Sequence, residues 1–95
     1  MYQTAFPDYP PCTLPLIPTD WADVSYSNDT CPSFEAPNGL VVFIDYLDPQ
    51  QREFGHLDAI ERFSVIRYLD DGSVDELCYS NDWQDVLSYV ASYGA

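Results

Sequence analysis

Prolines crowd the first 39 residues and limit what this part of the chain can fold into. Seven of the eight prolines in the 95-residue sequence lie there: Pro7, Pro10, Pro11, Pro15, Pro18, Pro32 and Pro37. Because proline fixes φ and lacks a backbone N–H donor, long helices and central strands are disfavoured. The segment nevertheless carries many apolar and aromatic residues between Phe6 and Phe34, which a linker lacks. We therefore expect residues 1–39 to form an extended arm that packs over a core built from residues 40–95.

The second part of the chain predicts three strands. Leu40 to Leu47 is almost continuously β-branched, aliphatic or aromatic, which indicates a central strand buried on both faces. Residues 62–69 alternate between two faces, and a return strand over residues 74–79 follows the hairpin signal Asp71-Gly72. The alternation places three residues on the face away from Phe63: Ser64, Ile66 and Tyr68.

The last element is predicted to be an amphipathic helix over residues 83–93. Asp82 is a favourable N-cap, and an apolar stripe follows at i, i+3, i+4 and i+7: Trp83, Val86, Leu87 and Val90. The expected fold is therefore α+β and forms a single domain over residues 1–95. In it, the Pro-rich N-terminal arm packs on a small, mainly antiparallel three-stranded sheet with one C-terminal helix.

The charge balance favours a basic partner. The chain has sixteen acidic residues and three arginines, and its net charge is −13. A compact domain of this length is about 32 Å across, and thirteen charges match roughly 22 Å of duplex DNA. Direct binding to nucleic acid or to an anionic membrane is not expected, because both require Lys and Arg. The negative charge therefore favours binding to a basic protein surface, and binding of a divalent cation is the alternative.

The acids of the second part are the predicted partner-binding residues. They are Asp45, Asp48, Glu53, Asp58, Glu61, Asp70, Asp71, Asp75, Glu76, Asp82 and Asp85. The alternative is a soluble surface that only prevents aggregation, but such surfaces usually mix both signs of charge. Tyrosines among the acids would help to hold an Arg-rich surface, unless they belong to the core. The candidates are Tyr26, Tyr79, Tyr89 and Tyr93.

No motif indicates catalysis, a metal site or a cofactor. His56 is the single histidine and lies in a polar stretch, and nothing resembles the nucleophile motif G-x-S-x-G. Residues 70–76 gather four carboxylates, but Gly72 comes too early for an EF-hand calcium loop. We interpret these four carboxylates as part of a solvent-exposed hairpin tip, where Asp favours turn geometry. We therefore expect neither an enzyme nor a bound cofactor.

The cysteines and the lack of targeting signals favour the cytoplasm. Three cysteines without a C-x-x-C pair are typical of isolated buried thiols in a reducing compartment, and a Cys12–Cys31 disulfide is the alternative. The first residues have neither the basic nor the apolar part of a signal peptide. No apolar run approaches 18 residues, so we expect no membrane span.

In size, net charge and the β-β-β-α order of residues 40–93, the chain resembles the small acidic proteins of phages and mobile elements. These include anti-CRISPR and anti-restriction inhibitors. The resemblance implies an inhibitor that occupies the nucleic-acid-binding groove of a CRISPR effector complex or nuclease, with carboxylates in place of phosphates. It rests on these general properties, not on a motif, and the Pro-rich arm is not part of it. The alternatives are a structural or regulatory module that neutralises one basic protein, and an ordinary domain of a halophile.

Overall fold

The main layer of the structure is a five-stranded antiparallel sheet, seen in a computed structural model that describes residues 1–48, 50, 52 and 61–93. The sheet follows the order of the chain, and each strand is antiparallel to the next. Its strands are β1 (Ala22–Asp23), β2 (Ser33–Glu35), β3 (Val41–Ile44), β4 (Phe63–Tyr68) and β5 (Val74–Ser80). A short helix, α1 (Tyr2–Ala5), and a 3-10 turn (Pro11–Thr13) precede them, and α2 (Trp83–Ser92) follows.

The predicted three-stranded sheet is wrong, because the proline-rich segment contributes β1 and β2. These strands have only two and three residues, which is too short for an alternating pattern to be recognised in the sequence. Only Pro32 adjoins these strands, and because it lacks an N–H it cannot donate the second hydrogen bond of its pair with Ile44. Pro32 precedes β2, and its carbonyl oxygen still accepts a hydrogen bond from the Ile44 N–H (2.9 Å). The α+β class and the C-terminal helix agree with the structure.

Two hairpin loops of the same geometry connect β2 to β3 and β4 to β5. In each, a glycine N–H donates to the residue three positions earlier, Gly39 to Ala36 and Gly72 to Leu69, both at 2.9 Å. Both glycines have a positive φ, +89° and +86°, which side chains disfavour. The hairpin predicted at Asp71-Gly72 is present, but its loop has three residues, since the Leu69 N–H pairs with the Ser73 oxygen (2.9 Å).

The core lies between one side of the sheet and a layer formed by α2 and the chain that precedes β1, which we call the N-terminal segment. Its buried members are Phe6, Tyr9, Phe34, Ala36, Leu40, Val42, Ile44, Phe63, Val65, Val86 and Val90. The strand residues among them alternate with residues of the opposite side of the sheet. Val42 and Val65, for example, pair across β3 and β4 and face the same side. α2 begins at the N-cap Asp82, whose carboxylate accepts from the Gln84 N–H (3.0 Å).

The N-terminal segment is bound to the sheet by polar contacts as well as by burial. The Trp83 indole N–H donates to the Leu16 oxygen (3.3 Å), and the Tyr2 N–H donates to the Asp23 carboxylate (2.8 Å). Partial burial raises the pKa of Asp23, but hydrogen bonds from Tyr2 and Ser25 outweigh it, so the net pKa is lowered. The carboxylate therefore stays ionised and connects α1 to β1.

Candidate partner-binding surfaces

The structure describes nine of the eleven predicted acidic residues, and Glu53 and Asp58 lie outside the described residues. The nine fall into two groups at opposite ends of β4 and β5. The hairpin group comprises Asp70, Asp71, Asp75 and Glu76. The helix-start group lies where β3 ends, β4 begins and α2 begins, and comprises Asp45, Asp48, Glu61, Asp82 and Asp85. The nine described acids therefore do not form one continuous patch.

In the hairpin group, local partners hold two carboxylates. Asp71 accepts from the Ser73 hydroxyl (2.6 Å) and from the Ser73 N–H (3.0 Å), and these bonds lower the pKa of Asp71. Asp75 forms a 3.8 Å salt bridge with Arg67, and both side chains are about half exposed, at 48% and 46%. Over the described part of the chain, no group of three or more His, Cys, Asp or Glu side chains is placed to hold a metal ion.

In the helix-start group, several carboxylates also stabilise the chain locally. Asp82 caps α2, and Asp85 accepts from the Ser80 hydroxyl (3.3 Å). The Asp48 carboxylate accepts from the Gln50 N–H (2.9 Å), and that of Asp45 accepts from the Tyr46 N–H (2.8 Å). Each of these bonds uses one carboxylate oxygen, and Asp48, Asp82 and Asp85 are exposed, so their negative charges remain accessible.

Arg62 and Arg52 both donate hydrogen bonds to uncharged oxygens of the chain. The Arg62 guanidinium donates to three uncharged oxygens at 2.8 Å, the backbone oxygens of Asp45 and Thr13 and the hydroxyl of Tyr9. Arg52 donates to the backbone oxygens of Tyr46 (2.7 Å) and Leu47 (3.3 Å). Two of the three arginines thus supply hydrogen bonds to backbone carbonyls.

The side of the sheet away from α2 carries an apolar and aromatic surface that the sequence did not reveal as a unit. We call it the open face; its residues are Val24, Tyr26, Glu35, Val41, Phe43, Ile66, Tyr68, Val74, Glu76 and Tyr79. Strand pairing places its strand residues, because directly paired residues share a side of the sheet. The Val24 N–H donates to the Ser33 oxygen, and Tyr26 lines the same groove as Val24. Glu35 pairs with Val41, Val41 with Ile66, and Ile66 with Glu76, so these four form one row across four strands.

A groove of about 320 Å³ crosses one part of the open face. Tyr26 and Tyr68 line it and are 58% and 56% exposed, whereas Val41 beneath them is only 5% exposed. The carboxylates of Asp29 and Glu35 line the same groove. The groove thus combines an apolar floor, two accessible aromatic rings and two negative charges.

The sequence identified only part of this surface. Of the four candidate tyrosines, Tyr26 and Tyr79 are exposed on the open face, whereas Tyr89 and Tyr93 pack against the core. The alternation of β4 placed Tyr68 away from the core, but its neighbours on β1 and β2 were unknown. Glu35 and Asp29 were missed because residues 1–39 were interpreted as an arm without strands.

The cysteines have three different environments and are all free, so Cys12 and Cys31 do not form a disulfide. Cys31 is buried as expected, but Cys12 is exposed and Cys78 is intermediate. Burial raises the pKa of Cys31 to about 12, which makes it unreactive at neutral pH. His56 lies outside the described residues, so the absence of an enzymatic activity stays a prediction.

The longest described helix, α2, has ten residues, and none of the helices in the described ranges has the length and apolarity needed to cross a membrane. Comparison with protein-family models, with curated proteins and with solved structures finds no match to this chain.

Proposed function

We propose that the protein is an acidic inhibitor that binds the basic, nucleic-acid-binding surface of a host defence complex and blocks nucleic-acid binding. A CRISPR effector complex or a nuclease is the kind of partner that fits. One observation supports this proposal above the others. The folded chain has a net charge of −13, and the Arg62 guanidinium donates its hydrogen bonds to neutral oxygens.

The dimensions of the molecule suit a nucleic-acid-binding groove. Its longest extent is 35 Å, so thirteen net charges over that length correspond to one per about 2.7 Å. Duplex DNA carries one charge per ~1.7 Å of axis. The two groups of predicted acids are separated by β4, whose six residues span roughly 17 Å. A partner surface that contacts both groups must therefore be basic over an extended length.

A competition gel shift tests the proposal. A purified defence complex is loaded with labelled nucleic acid, and excess protein is expected to release the label, with weaker competition as salt is raised. The double variant Asp70→Asn/Glu76→Gln should compete less well, because both residues are exposed and each substitution removes one charge. Ser88→Ala, a neutral change on the exposed side of α2, is the control. Lack of displacement at low salt across such complexes would refute the inhibitor.

A second candidate function is an interaction module that neutralises one basic protein without competing with nucleic acid. The apolar residues of the open face favour it, since apolar contacts persist when charges are screened. Co-purification from the native host separates the two functions. A stoichiometric complex that survives molar salt and leaves nucleic-acid binding unchanged indicates the module, whereas a salt-labile complex indicates the inhibitor.

A further inference from the structure

We infer that the open face is the docking surface for the partner, and that its groove binds an arginine side chain. This inference rests on the proposed function, because it names the surface through which a basic partner is held. Its occupant is a protein segment that carries arginines, not a nucleic acid, a lipid or a second copy of the chain.

Neither of the two described α-helices packs on the open face. α2 and the N-terminal segment both pack on the other side of the sheet, against the core residues. Eight large apolar or aromatic side chains of the described residues are exposed, and five of them belong to the open face: Val24, Tyr26, Tyr68, Val74 and Tyr79. The solvated side of an antiparallel sheet is usually polar, and an exposed apolar patch is typical of an interaction site.

Charge selects the kind of partner. The open face and its groove carry the carboxylates of Asp29, Glu35 and Glu76. Arg67 alternates with Ile66 and therefore projects to the other side of the sheet. A neutral apolar segment would leave the three carboxylates desolvated without a partner, whereas a cationic segment would compensate them.

Arginine fits the groove better than an isolated ammonium group. Its planar guanidinium stacks on aromatic rings and forms paired hydrogen bonds with a carboxylate. Tyr26 and Tyr68 supply the rings, and Glu35 supplies an exposed carboxylate beside them. Val41 provides an apolar floor for the methylene part of the side chain.

The row across the sheet suggests the spacing between two arginines. Glu35 and Glu76 lie three strand spacings apart, which is about 14 Å. Val41 and Ile66 lie between them and are nearly buried, at 5% and 7% exposure. Two arginines four residues apart on an extended segment are also separated by about 14 Å and project to the same side. Such a segment places one guanidinium at each carboxylate and apolar contacts in between.

The test uses a seven-residue peptide with blocked ends, arginines at positions 2 and 6, and valine and serine elsewhere. Binding to the full chain is measured by calorimetry at low salt, beside the same peptide with citrulline, which keeps the shape and removes the charge. Glu35→Gln and Tyr68→Ala should each weaken binding about 3- to 10-fold. Two controls should change it less than twofold. Asp20→Asn removes one exposed charge from a groove beside α2, and Leu47→Ala shortens an exposed apolar side chain after β3.

The outcomes separate this inference from the proposed function. In one outcome, the wild type displaces nucleic acid while Glu35→Gln and Tyr68→Ala lose no more peptide affinity than the controls. That result would show that the docking surface is wrong and would leave the proposed inhibitor function intact. Equal binding of the arginine and citrulline peptides would also overturn the inference. A dimer in sedimentation that Tyr68→Ala abolishes, with no peptide binding, would assign the face to a second copy. Circular dichroism of each variant checks that it is folded.

Discussion

Arg62 connects the N-terminal segment to the sheet at the level of single atoms. Its Nε donates to the Asp45 oxygen, and one Nη donates to both the Tyr9 hydroxyl and the Thr13 oxygen, each at 2.8 Å. The guanidinium carbon also lies 5.1 Å from the centre of the Phe63 ring. Hydrogen bonds from a charged donor contribute more to stability than neutral ones. Arg62 therefore has a structural role, even though it is one of only three cations in an anionic protein.

Replacing Arg62 should destabilise the fold much more than replacing Arg67. Arg62→Gln removes three short hydrogen bonds and leaves half-buried oxygens unsatisfied, so we expect a loss of about 2–4 kcal/mol. Arg67→Gln breaks one half-exposed salt bridge and should lower the unfolding free energy by less than about 1 kcal/mol. The net charge changes equally in both variants. A difference between their unfolding free energies in urea therefore reports the lost hydrogen bonds and not the lost charge. Equal losses would show that Arg62 acts only through its charge.

The three thiols should react at different rates. Burial, with the Asp45 carboxylate, raises the pKa of Cys31 to about 12, and burial with Asp85 also raises that of Cys78. A raised pKa keeps a thiol protonated to higher pH, and only the thiolate is nucleophilic. Iodoacetamide at pH 8 should modify Cys12 first, Cys78 more slowly and Cys31 only after unfolding, as followed by peptide mass spectrometry. Labelling of native Cys31 as fast as Cys12 would contradict the burial.

At the scale of the elements, the two hairpin loops set the register of the sheet. Both end on a glycine with positive φ, and Asn38 in the first loop also donates to the Val90 oxygen near the end of α2 (3.0 Å). The loop between β2 and β3 thus aligns the strands and holds the helix against them.

Alanine at either loop glycine should destabilise the protein by about 1–2 kcal/mol. The cause is backbone strain alone, because no atom lies within 4 Å of the added Cβ at Gly39 or Gly72. Asp70→Ala, at an exposed position of the second loop, is the control and should change stability by less than about 0.5 kcal/mol. Thermal unfolding measures all three variants. A neutral Gly39→Ala would mean that the loop adopts another turn in solution.

The long elements were predictable and the short ones were not. The central strand, the hairpin at Asp71-Gly72 and the helix after Asp82 carry strong local signals in pattern, turn chemistry and capping. β1 and β2 have only two and three residues, too few for a recognisable pattern, and the prolines around them suppressed a strand prediction. The sequence could not predict the open face either. The strand register decides which residues lie beside Glu35 and Tyr68, and it is known only from the structure.

At the scale of the whole molecule, the two sides of the sheet have different roles. One side is covered by α2 and the N-terminal segment and holds the core. Neither of the described α-helices packs on the other side, which combines exposed tyrosines with carboxylates around the nearly buried Val41 and Ile66. The sequence predicted that the acids are accessible, but not that they divide between two ends of the sheet, because the composition carries no information about their placement.

The melting temperature of the free protein as a function of sodium chloride tests most directly whether its charge is uncompensated. Raising the salt from about 10 to 100 mM shortens the Debye length from about 30 Å to about 10 Å, well below the smallest extent of the molecule, 25 Å.

We expect the melting temperature to rise by about 4–8 °C for each kcal/mol of repulsion that is screened. The rise should be smaller in the triple variant Glu35→Gln/Asp70→Asn/Glu76→Gln. A melting temperature that stays level or falls over this range would contradict an uncompensated anionic surface, and the proposed binding to a basic partner would lose its physical basis.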